Sequence, residues 1–160
     1  MHEPVGHCLI RSPVGELLVQ WSEVGLSRIQ FNGTPDPAIR PQPAPFDVER
    51  QLSAYFAGDL RQFELPLDPQ GTPFQLQVWT ELRMIPYGVT MTYGEVAYAL
   101  GKPTASRAVG GANNRNPLPV VIPCHRVIGA DGRLTGFAGG LETKQQLLDL
   151  ERRALARPTR

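Results

Sequence analysis

Short apolar runs at His7 to Ile10, Glu16 to Trp21 and Leu26 to Phe31 are rich in Val, Ile, Leu and aromatic residues. Breaks at Ser12-Pro13-Val14-Gly15 and Glu23-Val24-Gly25 separate them. Runs of that length bounded by turn residues predict a three-stranded antiparallel meander. Asn32 to Pro45 holds five prolines and little that is apolar, which predicts a surface loop. Val48, Leu52, Tyr55 and Phe56 then recur at helical spacing within 46–57, and Gly58 supplies a stop.

After about Asp68 to Gly71 the period becomes mainly helical. Thr72 can cap a helix, Pro73 suits its first position and Gln75 completes a capping box; Phe74, Val78, Leu82 and Ile85 follow on one face. Pro86-Tyr87-Gly88 ends it. Thr92-Tyr93-Gly94-Glu95 is a second capping box, opening a short helix with Val96, Ala97 and Leu100 apolar. The turn Gly101-Lys102-Pro103 leads to a third helix, with Ala105, Ala108, Val109 and Ala112 on one stripe. Two helices joined by so short a glycine-containing turn predict a helix-turn-helix. Val120-Val121-Ile122 predicts a short buried strand. Val127-Ile128, a turn over Gly129 to Gly132, and Leu134 predict a hairpin that would serve as a wing. Gly136 to Gly140 is a flexible stretch whose backbone can approach a ligand. A last helix is expected from about Leu141 to Leu155, with Leu147, Leu148, Ala154 and Leu155 as its apolar face. The fold class is therefore α+β, with domains at 1–70 and 71–160.

Composition changes the picture in two places. With 41% hydrophobic and 19% charged residues, 160 residues can bury a real core. No apolar run approaches the ~20 residues of a membrane span, and no signal-like leader opens the chain, so a cytoplasmic, non-membrane protein is expected. The net charge of +1 hides an asymmetry. Residues 1–70 carry five Arg against nine Asp+Glu, a balance of −4; residues 71–160 carry eleven Lys+Arg against six Asp+Glu, a balance of +5. Between 101 and 135, Lys102, Arg107, Arg115, Arg126 and Arg133 face a lone Asp131. Gly110-Gly111 inside the third helix costs roughly 1 kcal/mol per residue against alanine. Small residues there permit close approach either to a neighbouring helix or to a nucleic-acid groove, and the basic residues favour DNA.

The candidate chemistry centres on Ile122-Pro123-Cys124-His125-Arg126-Val127. A thiolate is the reactive form of cysteine, so a nucleophilic Cys124 needs a base and something to orient the base. His125 is adjacent. Glu151 falls on the apolar stripe of the last helix, where a carboxylate needs a partner, and a Glu151–His125 pair satisfies that need. Adjacent strand residues point to opposite faces, so Cys124 and His125 would cooperate through a turn or a bridging water. His2, His7 and Cys8 lack metal-ligand spacing and read as terminal or strand residues. No metal site is expected.

These motifs match a known family in order and spacing. The chain resembles the O6-alkylguanine-DNA alkyltransferases through Ser12-Pro13-Val14-Gly15 with Gly25-Leu26, Tyr55-Phe56-Ala57-Gly58, Gly71 to Gln75, Val78-Trp79, Ile85-Pro86-Tyr87-Gly88, Thr92-Tyr93, Arg107-Ala108-Val109-Gly110, Asn116-Pro117 and the Pro-Cys-His-Arg segment. The resemblance spans nearly the whole chain. It implies a ribonuclease H-like first domain and a winged helix-turn-helix second domain. It implies a protein that binds double-stranded DNA containing O6-alkylguanine through the minor groove, flips the base and keeps the alkyl group on Cys124, reacting once without any cofactor. His125, held by Glu151, would take the thiol proton through a water, and Tyr93 would donate a proton to the leaving base. Arg107 would fill the gap in the stack, with Ala105, Ser106 and Gly110 of the same helix against the DNA. Asn116 would hold the turn before Cys124, and backbone groups of Cys124, Val127 and Ala138 would read the guanine edge. Some relatives carry serine where Ala138 stands, so a hydroxyl contact is lost here. A monomer is expected, with cooperative binding along DNA an open alternative. Competing readings are a non-catalytic lesion binder, which would lack the cysteine, a winged-helix regulator, and a cysteine hydrolase.

Overall fold

The computed structural model describes residues 2–157, which divide between two compact units, one ending at Gln70 and the other beginning at Gly71.

In the first unit, β1 (Gly6–Ser12), β2 (Gly15–Trp21) and β3 (Leu26–Phe31) form an antiparallel sheet in that order. A two-residue connection closes the first hairpin at Ser12↔Gly15, and a bulge shifts the register at Gln20/Trp21. The central strand is the apolar one: Leu17, Leu18 and Val19 are all buried. The two outer strands would expose backbone donors and acceptors, which invites pairing with other chains. Here each is partly covered. The proline-rich loop bridges His7 to Pro41, with Gln42 N–H donating to the His7 carbonyl at 3.0 Å. On the other side Leu26 exchanges hydrogen bonds with Pro66 and Asp68 at 2.8 and 2.6 Å. Helix α1 (Val48–Phe56) buries Val48, Leu52 and Tyr55 as predicted, while Phe56, expected on the same face, is half-buried.

The second unit opens with α2 (Pro73–Leu82), and its start is the reciprocal box expected from Thr72 and Gln75. Thr72 Oγ1 accepts from Gln75 N–H at 3.1 Å while Gln75 Oε1 accepts from Thr72 N–H at 2.9 Å. The same device, Thr92 with Glu95, starts α3 (Tyr93–Ala99) directly after the two-residue strand β4 (Met91–Thr92). Gly101, at φ +72°, takes the left-handed conformation that ends α3, and α4 (Ser106–Asn114) follows. Helices α2, α3 and α4 pack together around Val78, Trp79, Leu82, Val96, Ala97, Val109 and Ala112. Trp79 ties α2 to α4 by donating its indole N–H to the Ala112 carbonyl at 2.8 Å.

Three expectations change here. Val120 to Ile122 is buried but is not a strand, because Val120 has φ +76°, a backbone no strand accommodates. The predicted hairpin is replaced by a parallel pair: β5 (Val127–Ile128) lies beside β4, Met91 opposite Val127. The Gly129–Gly132 turn does form, closed by Gly129 N–H on the Arg133 carbonyl at 2.9 Å. No return strand follows, since the Thr135 carbonyl is taken by side chains, the Lys144 ammonium at 2.7 Å and the Tyr93 hydroxyl at 3.3 Å. Helix α5 (Leu141–Ala156) closes the unit; Leu147, Leu148 and Ala154 are buried as expected, but Leu155 is 43% exposed.

Candidate active site

Cys124 is positioned by two tight turns in succession. Pro123, at φ −80° and ψ 62°, makes an inverse γ-turn in which Cys124 N–H donates to the Ile122 carbonyl at 2.7 Å. A single 3₁₀ turn over Cys124–Arg126 follows. Strand alternation between Cys124 and His125 therefore does not apply. Asn116 fixes the preceding loop at both ends of its amide: Nδ2 donates to the Ile122 carbonyl at 2.8 Å, and Oδ1 accepts from Leu118 N–H at 2.9 Å. Asn113 reaches from α4 to the Cys124 carbonyl at 3.4 Å.

Behind the cysteine lies a buried ionic cluster. His125 and Glu151 have no exposed surface, and His125 Nε2 lies 2.6 Å from Glu151 Oε2. Arg126 grips the same carboxylate with two nitrogens, Nε on Oε1 at 2.9 Å and Nη2 on Oε2 at 3.0 Å, and sends Nη1 to the Ile85 carbonyl at 2.8 Å. Gly88 N–H adds a fourth donor to Glu151 at 3.0 Å. Burial alone would push the Glu151 pKa up; the His125 and Arg126 contacts outweigh it and hold the group well below the usual carboxylate range. Arg126 thus belongs to this cluster and not to the basic surface it was counted with, because a buried carboxylate needs a permanent cation.

These surroundings set the resting protonation states. Desolvation pushes the Cys124 thiol up to about 11, against the pull of the Asn116 hydrogen bond and the Lys144 charge. Desolvation also lowers the His125 pKa, and Glu151 only partly offsets it. Near neutrality the site holds a thiol at Cys124 and, at the next residue of the chain, a neutral imidazole. A thiol proton can pass to an imidazole already oriented by a carboxylate, the arrangement that activates cysteine nucleophiles.

Four of the other expected residues, Tyr93, Ser106, Arg107 and Gly110, line a cavity of about 480 Å³ in the same unit, together with Thr135 and Gly136; Ala105, Asn116 and Ala138 do not line it. Tyr93 Oη lies 2.9 Å from Thr135 Oγ1. Arg107 is exposed on α4, Ala105 is half-buried at its N-cap, and Ala138 is exposed on the loop before α5. Cys124, at 4% exposure, and Val127, buried at the start of β5, are not among the cavity walls. The two glycines of α4 differ: Gly111 faces open space, whereas Gly110 faces Tyr93 at the start of α3. A Cβ at Gly111 would meet nothing within 4 Å, and one at Gly110 only the Tyr93 ring at 3.8 Å.

Two polar residues at the site escaped the sequence reading. Thr135 carries no motif. Lys144 is fully buried, and the signal was present: it stands at i with Leu147, Leu148 and Glu151 at i+3, i+4 and i+7, on the same buried stripe.

Comparison with known proteins gives a consistent picture. Residues 73–153 match the family model described as the 6-O-methylguanine DNA methyltransferase DNA binding domain, and residues 6–69 match its ribonuclease-like domain. A relative from Methanosarcina acetivorans named methylated-DNA–protein-cysteine methyltransferase is 48% identical over 151 residues, covering 91% of this chain and 97% of that protein. The crystal structure of the Mycobacterium tuberculosis O6-methylguanine methyltransferase superposes with a TM-score of 0.88 at 43% identity, covering 97% of this chain and 96% of that one. The M. tuberculosis OGT solved in complex with DNA gives a TM-score of 0.88 at 45% identity, covering 94% of each chain.

Proposed function

The chain belongs to the 6-O-methylguanine DNA methyltransferase family, whose activity is DNA repair by direct reversal, and from that premise we propose that Cys124 is the alkyl acceptor and that the cluster behind it is its proton-handling machinery. The substrate is duplex DNA bearing an O6-alkylguanine, principally O6-methylguanine. The damaged base leaves the stack to reach Cys124, because the target carbon is poorly accessible inside a duplex; the cavity walled by Tyr93 and Arg107, which Cys124 does not line, is its way in. The observation that carries this reading is the fully buried His125–Glu151 contact of 2.6 Å beside Cys124, the chain neighbour of His125.

The Cys124 proton passes through a water to His125 Nδ1, since Nε2 is committed to Glu151. The sulfur attacks the alkyl carbon; an S–C bond forms and the C–O6 bond breaks. The bonding pair stays with guanine, which takes a proton from the Tyr93 hydroxyl. Later exchange with water returns a proton to Tyr93 and removes one from the imidazolium. The products are a thioether on Cys124 and unmodified guanine. A thioether does not leave, so each molecule acts once, and the transfer needs no cofactor.

The DNA is engaged by α4. The open face at Gly111 supports close approach to a groove, with Ala105, Ser106 and Gly110 on the same helix. Arg107, exposed on that helix, fills the space vacated by the flipped base. Asn116 holds the loop that presents Cys124, and backbone groups of Cys124, Val127 and Ala138 read the guanine edge. No helix among the described residues is long and apolar enough to cross a membrane. We place the protein in the cytoplasm, acting as a monomer.

The test is a duplex with a labelled O6-methyl group. One label per protein molecule should move to Cys124, and Cys124→Ala should bind the duplex yet leave the label on DNA. Label that stays on DNA bound to the unmodified protein refutes the assignment.

A further inference from the structure

Helix α5 presents two ionisable side chains on its buried stripe. Glu151 is matched by His125 and Arg126, whereas Lys144 forms no ion pair among the described residues. Burying a lysine is costly, and a methionine of similar length would fill the same space without that cost. The contact Lys144 does make therefore needs a reason. Its ammonium donates to the Thr135 carbonyl at 2.7 Å. Tyr93 approaches the same residue twice, its hydroxyl 3.3 Å from the carbonyl and 2.9 Å from Oγ1.

The distances rank the competition for Thr135. With the ammonium as the closer, charged donor on the carbonyl, the phenol is left with the weaker contact there and the shorter one to the hydroxyl. Either oxygen of the hydroxyl pair can donate. When Thr135 Oγ1 donates to the phenol oxygen, the phenol proton is directed elsewhere, and the negative charge left on Tyr93 after it gives up that proton is stabilised.

We propose that Lys144 is a positioning residue for Tyr93: by occupying the Thr135 carbonyl it turns the Thr135 hydroxyl into a donor to the phenol, so that Tyr93 points its proton at the leaving guanine. This rests on the reading of Tyr93 as the proton donor. In this role Lys144 acts through Thr135, and Thr135 acts through Tyr93; its charge also bears on the Cys124 thiol, an effect that would multiply with Tyr93→Phe and so is told apart by the double variant.

The experiment is single-turnover alkyl transfer with protein in excess over a duplex containing O6-methylguanine, which separates the maximal rate from the half-saturating protein concentration. Lys144→Met should lower the maximal rate about tenfold to hundredfold while half-saturation moves less than about twofold, as expected when a group aligned for reaction is misplaced. Thr135→Val, which keeps the carbonyl and removes the hydroxyl donor, should lower it similarly. The Lys144→Met/Tyr93→Phe double variant should be no slower than its slower parent. A wild-type maximal rate in Lys144→Met, or effects of the two substitutions that multiply, overturns the proposal. If Lys144→Met does not fold, Thr135→Val paired with Tyr93→Phe carries the same cycle, and multiplying effects there are equally fatal. A wild-type rate in Tyr93→Phe sinks the Tyr93 reading itself; a slow Tyr93→Phe beside a wild-type Lys144→Met sinks only the role of Lys144.

Discussion

His125 and Glu151 stand 26 residues apart in the chain, yet Nε2 and Oε2 meet at 2.6 Å with both side chains shut off from solvent. The contact is one arm of a larger arrangement, because Arg126 closes on the same carboxylate with two nitrogens. Glu151→Ala would therefore orphan a buried guanidinium as well as an imidazole. Leaving one partner of a buried pair uncompensated costs about 3–5 kcal/mol. Glu151→Ala should show a clear fall in thermal midpoint, and a slow rate in that variant would mix misfolding with lost catalysis. Glu151→Gln keeps the shape and is the cleaner test. It should fold, bind DNA and transfer the alkyl group at least about tenfold more slowly. Transfer at the wild-type rate in the glutamine variant would rule out the His125–Glu151 role.

Stability should be bounded on both sides by this cluster. The depressed His125 and Glu151 values mean that the unfolded chain takes up protons first, so their contributions are present above the unfolded pKa values and fade as pH falls. The His125 loss begins below about pH 6.5 and the Glu151 loss below about pH 4.3, the unperturbed values. Cys124 acts in the opposite sense. Its folded value of about 11 lies above the unfolded one, so its contribution is full below about pH 8.5 and is lost as pH rises through the folded value. Lys144, lowered by burial, opposes that alkaline loss near pH 10. Urea unfolding across pH should reveal the difference between wild type and Cys124→Ala as a destabilisation specific to the alkaline limb, at most about 3 kcal/mol. Identical alkaline limbs would contradict the raised thiol pKa.

The same buried thiol should be a poor nucleophile without substrate. At pH 7.5 an unperturbed cysteine is roughly a tenth thiolate, and a thiol near 11 is at least about a hundredfold less ionised. Peptide-resolved mass spectrometry after iodoacetamide treatment should find Cys124 labelled at least about a hundredfold more slowly than a cysteine in an unfolded peptide. Rapid labelling of Cys124 in the folded protein would show that the thiolate is preformed, and that the imidazole is not needed to generate it.

What could be read from the sequence follows the range of the interaction. The two capping boxes, Thr72 with Gln75 and Thr92 with Glu95, were legible because each closes within four residues. Glu151 was legible because a charge on an apolar helical stripe breaks a local period. The Met91↔Val127 pairing was not: two strands of two residues, far apart in sequence, carry no periodic signal. Val120 escaped because a β-branched residue at positive φ is against local preference, and only the packing around it holds it there. Arg126 and Lys144 were hidden by their charge. Composition assigns a cation to the surface, and only the position of Glu151 and of the Thr135 carbonyl shows otherwise.

Gly111 gives a test in which folding and function should move in opposite directions. It lies inside α4, where glycine costs roughly 1 kcal/mol against alanine. Nothing in the protein would obstruct the added methyl group, since a Cβ there has no neighbour within 4 Å. Gly111→Ala should therefore raise the unfolding free energy by about 0.5–1 kcal/mol. If that open face is kept small so that α4 can approach DNA closely, the same methyl group should weaken duplex binding, and a larger side chain such as Gly111→Leu should weaken it further at equal or higher stability than glycine. Gly110 cannot serve as a control, because its methyl group would rest against the Tyr93 ring, at an ordinary contact distance of 3.8 Å, in the wall of the cavity. Thermal denaturation and a salt-controlled binding titration on the same preparations decide the matter. A stabilised Gly111→Ala that binds DNA as tightly as wild type would show that the glycine is not kept for the groove.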